Sequence, residues 1–321
     1  MIKQPFFSKT GTGKDRGGIL RIEKASIHDG DGLRSVVFFK GCPLACAWCS
    51  TPESQRFKPE IGLDPLRCTH CGACVEACPS SALFMEEGFP RVLREKCTGC
   101  FQCADVCVSK AVKKYGTACT VEEVADEVSK DEIFYFHSGG GVTLSGGEPC
   151  AQPHYAADLL REMRLRGIHT TIETSLYADW ENVQMLLPYL NCALADLKHM
   201  DTVQHKKWTG VGNELILENL VKIDASHFSV RLTIRVPLIP GINDNDENLS
   251  ALAAFSRRLK RLETIELLPY HRLGSDTYRL LGRTYAIESV AAQSWEEMEE
   301  RASFLSSSEP GVPVVVGGCE F

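Results

Sequence analysis

Gly41-Cys42-Pro43-Leu44-Ala45-Cys46-Ala47-Trp48-Cys49 places three cysteines in one tight loop, at C-x3-C-x2-C spacing. A four-iron cluster takes thiolate ligands at its corners. Three cysteines fill three corners and leave one iron open. An open metal position belongs to a site that does chemistry, not to one that only holds a fold. Such an iron can be chelated by a small molecule carrying an amine beside a carboxylate, as in the α-amino acid end of a methionine derivative.

Two further cysteine runs follow. Cys68-x2-Cys71-x2-Cys74-x3-Cys78 precedes Cys97-x2-Cys100-x2-Cys103-x3-Cys107. This is the bacterial two-cluster ferredoxin pattern, in which the fourth cysteine of each run serves the other cluster. The pattern pairs Cys68, Cys71 and Cys74 with Cys107, and Cys97, Cys100 and Cys103 with Cys78. A paired zinc site needs only four cysteines in two C-x2-C pairs, and eight in this order exceed it. Cys119, Cys150, Cys192 and Cys319 stand outside the runs and read as small apolar or incidental residues.

The elements that would position this chemistry alternate between strand and helix. Ser35 to Phe39 reads as a buried strand that delivers the cysteine loop. Thr120-Val121-Glu122-Glu123 is a capping box opening a helix to about Lys130. Ile133 to Phe136 reads as a short strand, and Val142 to Ser145 as a strand ending in Gly146-Gly147-Glu148-Pro149. A helix over 153–166 precedes a strand ending in Glu173-Thr174-Ser175. A helix over 179–187 precedes a strand ending in Asp196-Leu197-Lys198. A helix over 214–222 leads to a strand over 229–236, after which Pro237 breaks the chain. A helix over 248–262 leads to a strand over 264–268 before Pro269-Tyr270-His271. A helix over 294–305 and a strand over 314–316 finish the chain. This alternation predicts an α/β fold, a partial (β/α)6 TIM-type barrel with an inserted bacterial ferredoxin-like domain. The expected division is a flexible leader (1–18), the barrel (19–58 and 118–321) and the two-cluster insert (59–117). The cysteine loop, Gly146 to Glu148, Glu173, Asp196, Lys198, Arg235 and His271 are expected at the C-terminal ends of strands. In such a barrel those ends form the reactive face.

Composition narrows the classes. The chain is long, 44% apolar and 24% charged, with net charge -7, which does not favour a nucleic-acid partner. No apolar run is long enough to span a membrane, and the start carries no apolar core of a secretory signal. Gly11 to Gly18 matches no phosphate-binding motif. Fifteen cysteines, eleven of them closely spaced, favour chelation over disulfides and predict a reducing cytoplasm, as in an anaerobe.

These residues carry a resemblance. Cys42-x3-Cys46-x-Trp48-Cys49 resembles the signature of the radical S-adenosylmethionine superfamily. With Asp29-Gly30-x-Gly32-x-Arg34, Gly146-Gly147-Glu148-Pro149, Asp196-x-Lys198, Ile239-Pro240-Gly241 and Leu268-Pro269-Tyr270-His271, the chain resembles the glycyl radical enzyme activating enzymes, in the branch with a ferredoxin-like insert. Asp31 departs from the family's usual proline. The resemblance implies three 4Fe-4S clusters, the first held by Cys42, Cys46 and Cys49 with S-adenosylmethionine on its open iron. It implies cofactor contacts from Trp48, Gly146, Gly147, Glu148, Glu173, Thr174, Asp196, Lys198 and His271, with Asp29 and Arg235 facing a partner's glycine loop. The implied reaction reductively cleaves S-adenosylmethionine to methionine and a 5′-deoxyadenosyl radical. That radical takes an α-hydrogen from a backbone glycine of a dedicated partner enzyme. A low-potential donor such as flavodoxin or ferredoxin supplies the electron. Two other readings stand beside it. A ferredoxin-type electron carrier leaves the three-cysteine loop unexplained, and a peptide-modifying radical enzyme usually carries its extra cysteines after the barrel.

Overall fold

The computed structural model describes residues 16–317. Its centre is a nine-stranded sheet. β1 (Arg16–Ser26) and β2 (Arg34–Phe39) are antiparallel, and β7 (Thr117–Thr120) pairs antiparallel with the outer side of β1. From β2 onward the neighbours are parallel and follow chain order: β8 (Gly141–Gly146), β9 (His169–Thr174), β10 (Cys192–Asp196), β11 (Arg231–Leu238), β12 (Leu262–Pro269) and β13 (Val314–Val316). The sheet is open, with β7 and β13 at its two edges. Chain-order winding puts every crossover helix on one side, unlike the reversing order of a doubly wound sheet.

The helices are α3 (Val121–Ser129), α4 (Glu132–Ser138), α5 (Pro153–Leu165), α6 (Trp180–Leu186), α7 (Thr202–Thr209), α8 (Glu214–Ala225), α9 (Asp246–Ser256), α10 (Ser275–Leu280) and α11 (Trp295–Ser307). The numbering leaves α1 and α2 to the insert. Alternation along each strand separates two faces. Val37, Leu144, Ile172, Ala195, Ile234 and Ile265 join the main core with helix residues such as Leu160 and Leu220. The opposite face is polar, carrying Arg34, Thr143, Ser145, Thr171, Glu173, Asp196, Arg235 and Glu266. Functional groups therefore line the inner face while the apolar face packs outward on the helices.

The insert holds β3 (Glu60–Leu63), α1 (Ala73–Glu76), β4 (Leu83–Glu86), β5 (Phe89–Val92), α2 (Gln102–Asp105) and β6 (Val112–Tyr115). β3 pairs with β6, and β4 with β5, both antiparallel. The two cysteine runs form equivalent loops. Each leads into a one-turn helix entered through a left-handed residue, Gly72 in the first and Phe101 in the second.

Several expectations change. Arg16 to Gly18, assigned to the leader, belong to β1 and pair with β7, where a Cβ on Gly17 would stand 2.2 Å from the Tyr155 ring. Residues 1–15 of that leader lie outside the described residues. Ile133 to Phe136 form part of α4 and not a strand. Only Tyr135 of the four is buried, and Gly139 ends the helix in the left-handed region. A short apolar run does not separate the two forms by itself. Pro237 does not end its strand, since β11 continues to Leu238. The helix expected over 248–262 starts at Asp246, capped by Asn245, and stops at Ser256, whose hydroxyl donates to Pro310 O. β1, β7, α7 and α10 had no counterpart in the sequence reading.

Candidate active site

The cysteine loop leaves the end of β2 and is clamped from three directions. Gly147 N donates to Phe39 O and Glu148 N to Gly41 O, both at 2.9 Å. Ala45 N and Ala47 N donate to the carbonyls of Thr209 and Trp208 at the end of α7. From above, the Tyr278 hydroxyl donates to Cys46 O at 3.3 Å. Leu44, Cys46 and Trp48 join Ile239, Tyr270 and Tyr285 in a second apolar cluster over the mouth of the sheet. Burial pushes all three thiols upward, Cys42 well above its usual range, Cys46 to about 12 and Cys49 in the same direction.

Lys198 sits beside these thiols. Its ammonium donates to Asp196 Oδ2 at 2.7 Å. Burial alone would lower its pKa, but Asp196 and the Cys46 and Cys42 thiols reverse this and hold it above the ordinary lysine value. Burial raises the Asp196 pKa against the pull of Lys198. Among the described residues, Asp196 Oδ1 is buried with no hydrogen-bond partner. An orphaned buried acceptor next to a cation and three thiols fits a zwitterionic guest, whose amine and carboxylate would meet both.

Gly146 and Gly147 are required by packing. Gly146 has φ +92°, and a Cβ there would stand 2.6 Å from Phe39 N; on Gly147 it would stand 2.3 Å from Gly41 O. Both face β2 and the cysteine loop, so backbone packing by itself requires glycine at each position. Glu148 is 0% exposed. Its carboxylate accepts from the Thr174 hydroxyl at 2.6 Å, the Ser175 hydroxyl at 2.6 Å, Ser175 N at 2.9 Å and Cys150 N at 3.1 Å. Those four donors occupy both carboxylate oxygens. Glu148 and Thr174 pin the end of β8 to the end of β9. Burial raises the Glu148 pKa against these hydrogen bonds.

On the same polar face, Arg235 is held by three acceptors: Glu266 Oε2 at 2.6 Å, His28 O at 2.6 Å and Glu173 Oε1 at 3.3 Å. It lies mid-strand, level with Asp196 in the register, and not at a strand end. Burial works against its charge, and Glu173, Glu266 and Asp196 hold the charge in place. Glu173 also accepts from the Ser145 hydroxyl. Asp29 comes from the turn between β1 and β2, at the N-terminal end of the parallel strands. Thr143 donates to its carbonyl at 2.7 Å, and burial followed by the Glu173 charge raises its carboxyl pKa. Asp29 thus reaches the polar face from the strand ends opposite the cysteine loop. His271 follows β12 and is partly buried, with its pKa lowered by burial. Glu266 was missed by the sequence reading; its inward place in β12, two residues from Leu268, was the available signal.

In the insert, one cavity is lined by Cys68, Cys71, Cys74 and Cys107, and a second by Cys78, Cys97, Cys100 and Cys103. The structure gathers the eight cysteines in the crossed grouping. Ala82 N and Ala111 N each donate to a thiol, Cys78 and Cys107, at 3.2 Å. Burial would raise these two thiols, but hydrogen bonds from Ser80 and Ser109 and nearby amides bring them below the usual range. Among the described residues no three acidic, thiol or imidazole groups converge as a single metal ion requires. Thiolates at the corners of a cube lie farther apart than ligands around one ion.

The comparisons agree with this geometry. Residues 89–253 match the Radical SAM superfamily, and residues 60–108 match a 4Fe-4S dicluster domain. The chain is 45% identical over 277 residues to the isethionate sulfite-lyase activating enzyme of Nitratidesulfovibrio vulgaris, covering 84% of this chain and 89% of that one. It is 42% identical over 305 residues to the choline trimethylamine-lyase activating enzyme of Oleidesulfovibrio alaskensis, covering 92% and 97%. A radical SAM methyltransferase from Sphaerobacter thermophilus shares the fold at 14% identity, with TM-score 0.54 over 92% of this chain and 76% of that one. Fold and site define a radical S-adenosylmethionine enzyme carrying an iron–sulfur insert. Within that superfamily the chain belongs to the glycyl radical enzyme activating enzymes.

Proposed function

We infer that Cys42, Cys46 and Cys49 hold a 4Fe-4S cluster and that the two insert cavities hold two more, giving about twelve irons per chain. The enzyme activates a partner glycyl radical enzyme. When bound, the cluster of the cysteine loop supplies one electron to the sulfonium of S-adenosylmethionine, which yields methionine and a 5′-deoxyadenosyl radical. The protein's own groups do the rest. Lys198 pairs with the carboxylate of S-adenosylmethionine, and Asp196 Oδ1 accepts from its amine. Trp48, in the loop itself, packs beside the cofactor. His271 borders the mouth. Arg235, fixed by Glu173 and Glu266, presents its remaining N–H groups to backbone carbonyls of the partner's glycine loop, and Asp29 faces the same loop from below. The apolar cover of Tyr270, Tyr278 and Tyr285 keeps water from the radical.

The observation that carries this reading is the buried Lys198–Asp196 pair beside three thiols, with one carboxylate oxygen left unpartnered. The insert is taken as residues 59–117 and the barrel as the remainder from residue 19, with Arg16 to Gly18 now joined to it. A low-potential flavodoxin or ferredoxin supplies electrons, in the cytoplasm. No helix is long and apolar enough to cross a membrane. The partner is drawn from glycyl radical enzymes such as isethionate sulfite-lyase, (2S)-3-sulfopropanediol sulfolyase, choline trimethylamine-lyase or trans-4-hydroxy-L-proline dehydratase, after the names of the relatives. Cys46→Ala tests the site: S-adenosylmethionine cleavage is lost while about eight of about twelve irons remain. Retained cleavage would place the reactive cluster elsewhere.

A further inference from the structure

Glu60 opens β3 where the insert leaves the barrel, and its side chain is 4% exposed. Lys40, whose side chain is 0% exposed, donates to Oε1 at 3.2 Å. Arg283 stands 2.7 Å from Oε2 and Arg94 3.5 Å, with Arg56 at 3.9 Å. These cations come from separate parts of the chain. Lys40 directly precedes the cysteine loop, Arg94 belongs to the insert, and Arg283 follows α10. The same side chains reach backbone carbonyls: Lys40 to Glu53 O at 2.6 Å, Arg94 to Ile61 O at 2.6 Å and Leu281 O at 2.7 Å, and Arg283 to Pro52 O at 2.6 Å. A buried carboxylate is retained at such a depth only when cations and donors close around it. The chemistry of the lumen makes no use of this cluster.

The hub has a direction. Ile61, next to Glu60, lines the cavity of Cys78, Cys97, Cys100 and Cys103. Leu63 and Asp64, farther along, line the other one. Gly99, between Cys97 and Cys100, lies so close to Pro59 that an added Cβ would stand 2.9 Å from it. On the barrel side, a Cβ on Gly274 would stand 2.5 Å from Cys49 O, and Tyr278 donates to Cys46 O. Leu281, three residues beyond Tyr278, gives its carbonyl to Arg94. A continuous packed path therefore joins the cysteine loop to the loop of Cys97 through the Glu60 hub.

We propose that Glu60 is a positioning residue that sets the Cys78, Cys97, Cys100 and Cys103 cavity as the inner of the two insert sites, fixed against the Cys42-Cys46-Cys49 loop as its electron feed. This rests on the reading that all three sites hold 4Fe-4S clusters. The step moves one electron and no atoms. The inner site is oxidised by one electron, the loop site is reduced by one, and a low-potential one-electron iron–sulfur or flavin protein restores the first.

The test uses the full chain, reconstituted anaerobically and reduced with dithionite. Iron per chain is measured together with the microwave-power saturation of the loop cluster's electron paramagnetic resonance, the signal that shifts on adding S-adenosylmethionine. A nearby paramagnet speeds its relaxation. Cys100→Ser is expected to slow that relaxation, and Cys71→Ser to leave it fast. Glu60→Gln and Arg94→Ala are expected to keep their iron and lose the fast relaxation, and Glu60→Asp to restore it. Should Glu60→Gln fail to fold, the less buried Arg94 carries the test. Full iron with unchanged relaxation in the foldable variants, or slowing by Cys71→Ser in place of Cys100→Ser, overturns the proposal. A wild-type protein that saturates at about four irons defeats the three-cluster reading itself.

Discussion

Lys198 is the residue on which the proposed chemistry turns. It is a buried cation, paired on one side with Asp196 and facing thiols on the other. Replacing it with methionine keeps its bulk and removes the charged donor. Hydrogen bonds to charged groups contribute about 1.5–3 kcal/mol, so Lys198→Met should weaken S-adenosylmethionine binding roughly ten- to a hundred-fold, with iron content unchanged. Equilibrium binding to the reconstituted protein measures this, and unchanged affinity would remove Lys198 from the site. His169, at the start of β9, makes a pH prediction. Burial, then the charges of Arg34 and Arg231, lower its pKa to about 4. The folded state therefore holds fewer protons than the unfolded chain between the usual histidine value and about 4. Stability is fully present above the unfolded value and is lost as the pH falls through this window. Denaturant midpoints should drop across that range, and the drop should shrink in His169→Gln. Cysteine type and spacing made the thiol sites legible in the sequence, because short gaps are geometry in themselves. The hydrogen-bond partners of Glu148 and the backbone packing of the two glycines were not, because both involve residues distant in sequence.

The end of β8 and the cysteine loop after β2 work as one element. Their pairing is parallel from Arg34 with Gly141 to Phe39 with Gly146, and two amide hydrogen bonds extend it past the strand ends. Gly147→Ala would force a Cβ against the Gly41 carbonyl. Backbone on both sides leaves no flexible side chain to yield, so the loop must shift. The expected outcome is reconstitution to about eight irons instead of about twelve, with the insert loaded and the cysteine loop empty. Full loading with normal S-adenosylmethionine cleavage would show that the clamp tolerates displacement. The strand–helix alternation after residue 118 was readable from periodicity, and most of the parallel strands lie where it placed them. The failures have local causes. β1 carries two glycines and mixed polarity and β7 is only four residues long, so no period marks them. α4 exposes Ile133, Phe134 and Phe136, so its apolar run says nothing of burial. Arg235 reads as a polar alternate in a half-exposed strand, yet it is buried because the sheet's inner face is the polar one.

At the scale of the whole molecule, the sheet packs one apolar face on the helices and sets its charged groups on the other. The cysteine loop, Lys198 and Asp196 occupy one end, and the turn bearing Asp29 enters from the other. On the proposed reading, a radical formed at the first end is directed toward a segment admitted beside Arg235. The insert attaches beside the cysteine loop through the Glu60 hub and segment 274–287. Neither attachment was visible in the sequence, because ion pairs between residues more than two hundred positions apart leave no local pattern. The most direct measurement mixes the reconstituted, reduced protein with S-adenosylmethionine and, one at a time, the partner enzymes named above, and follows electron paramagnetic resonance and 5′-deoxyadenosine together. A glycine-centred doublet with one partner, growing in step with 5′-deoxyadenosine and absent in Cys46→Ala, is the result this account predicts. Steady 5′-deoxyadenosine formation with no glycine doublet from any of those partners would contradict it.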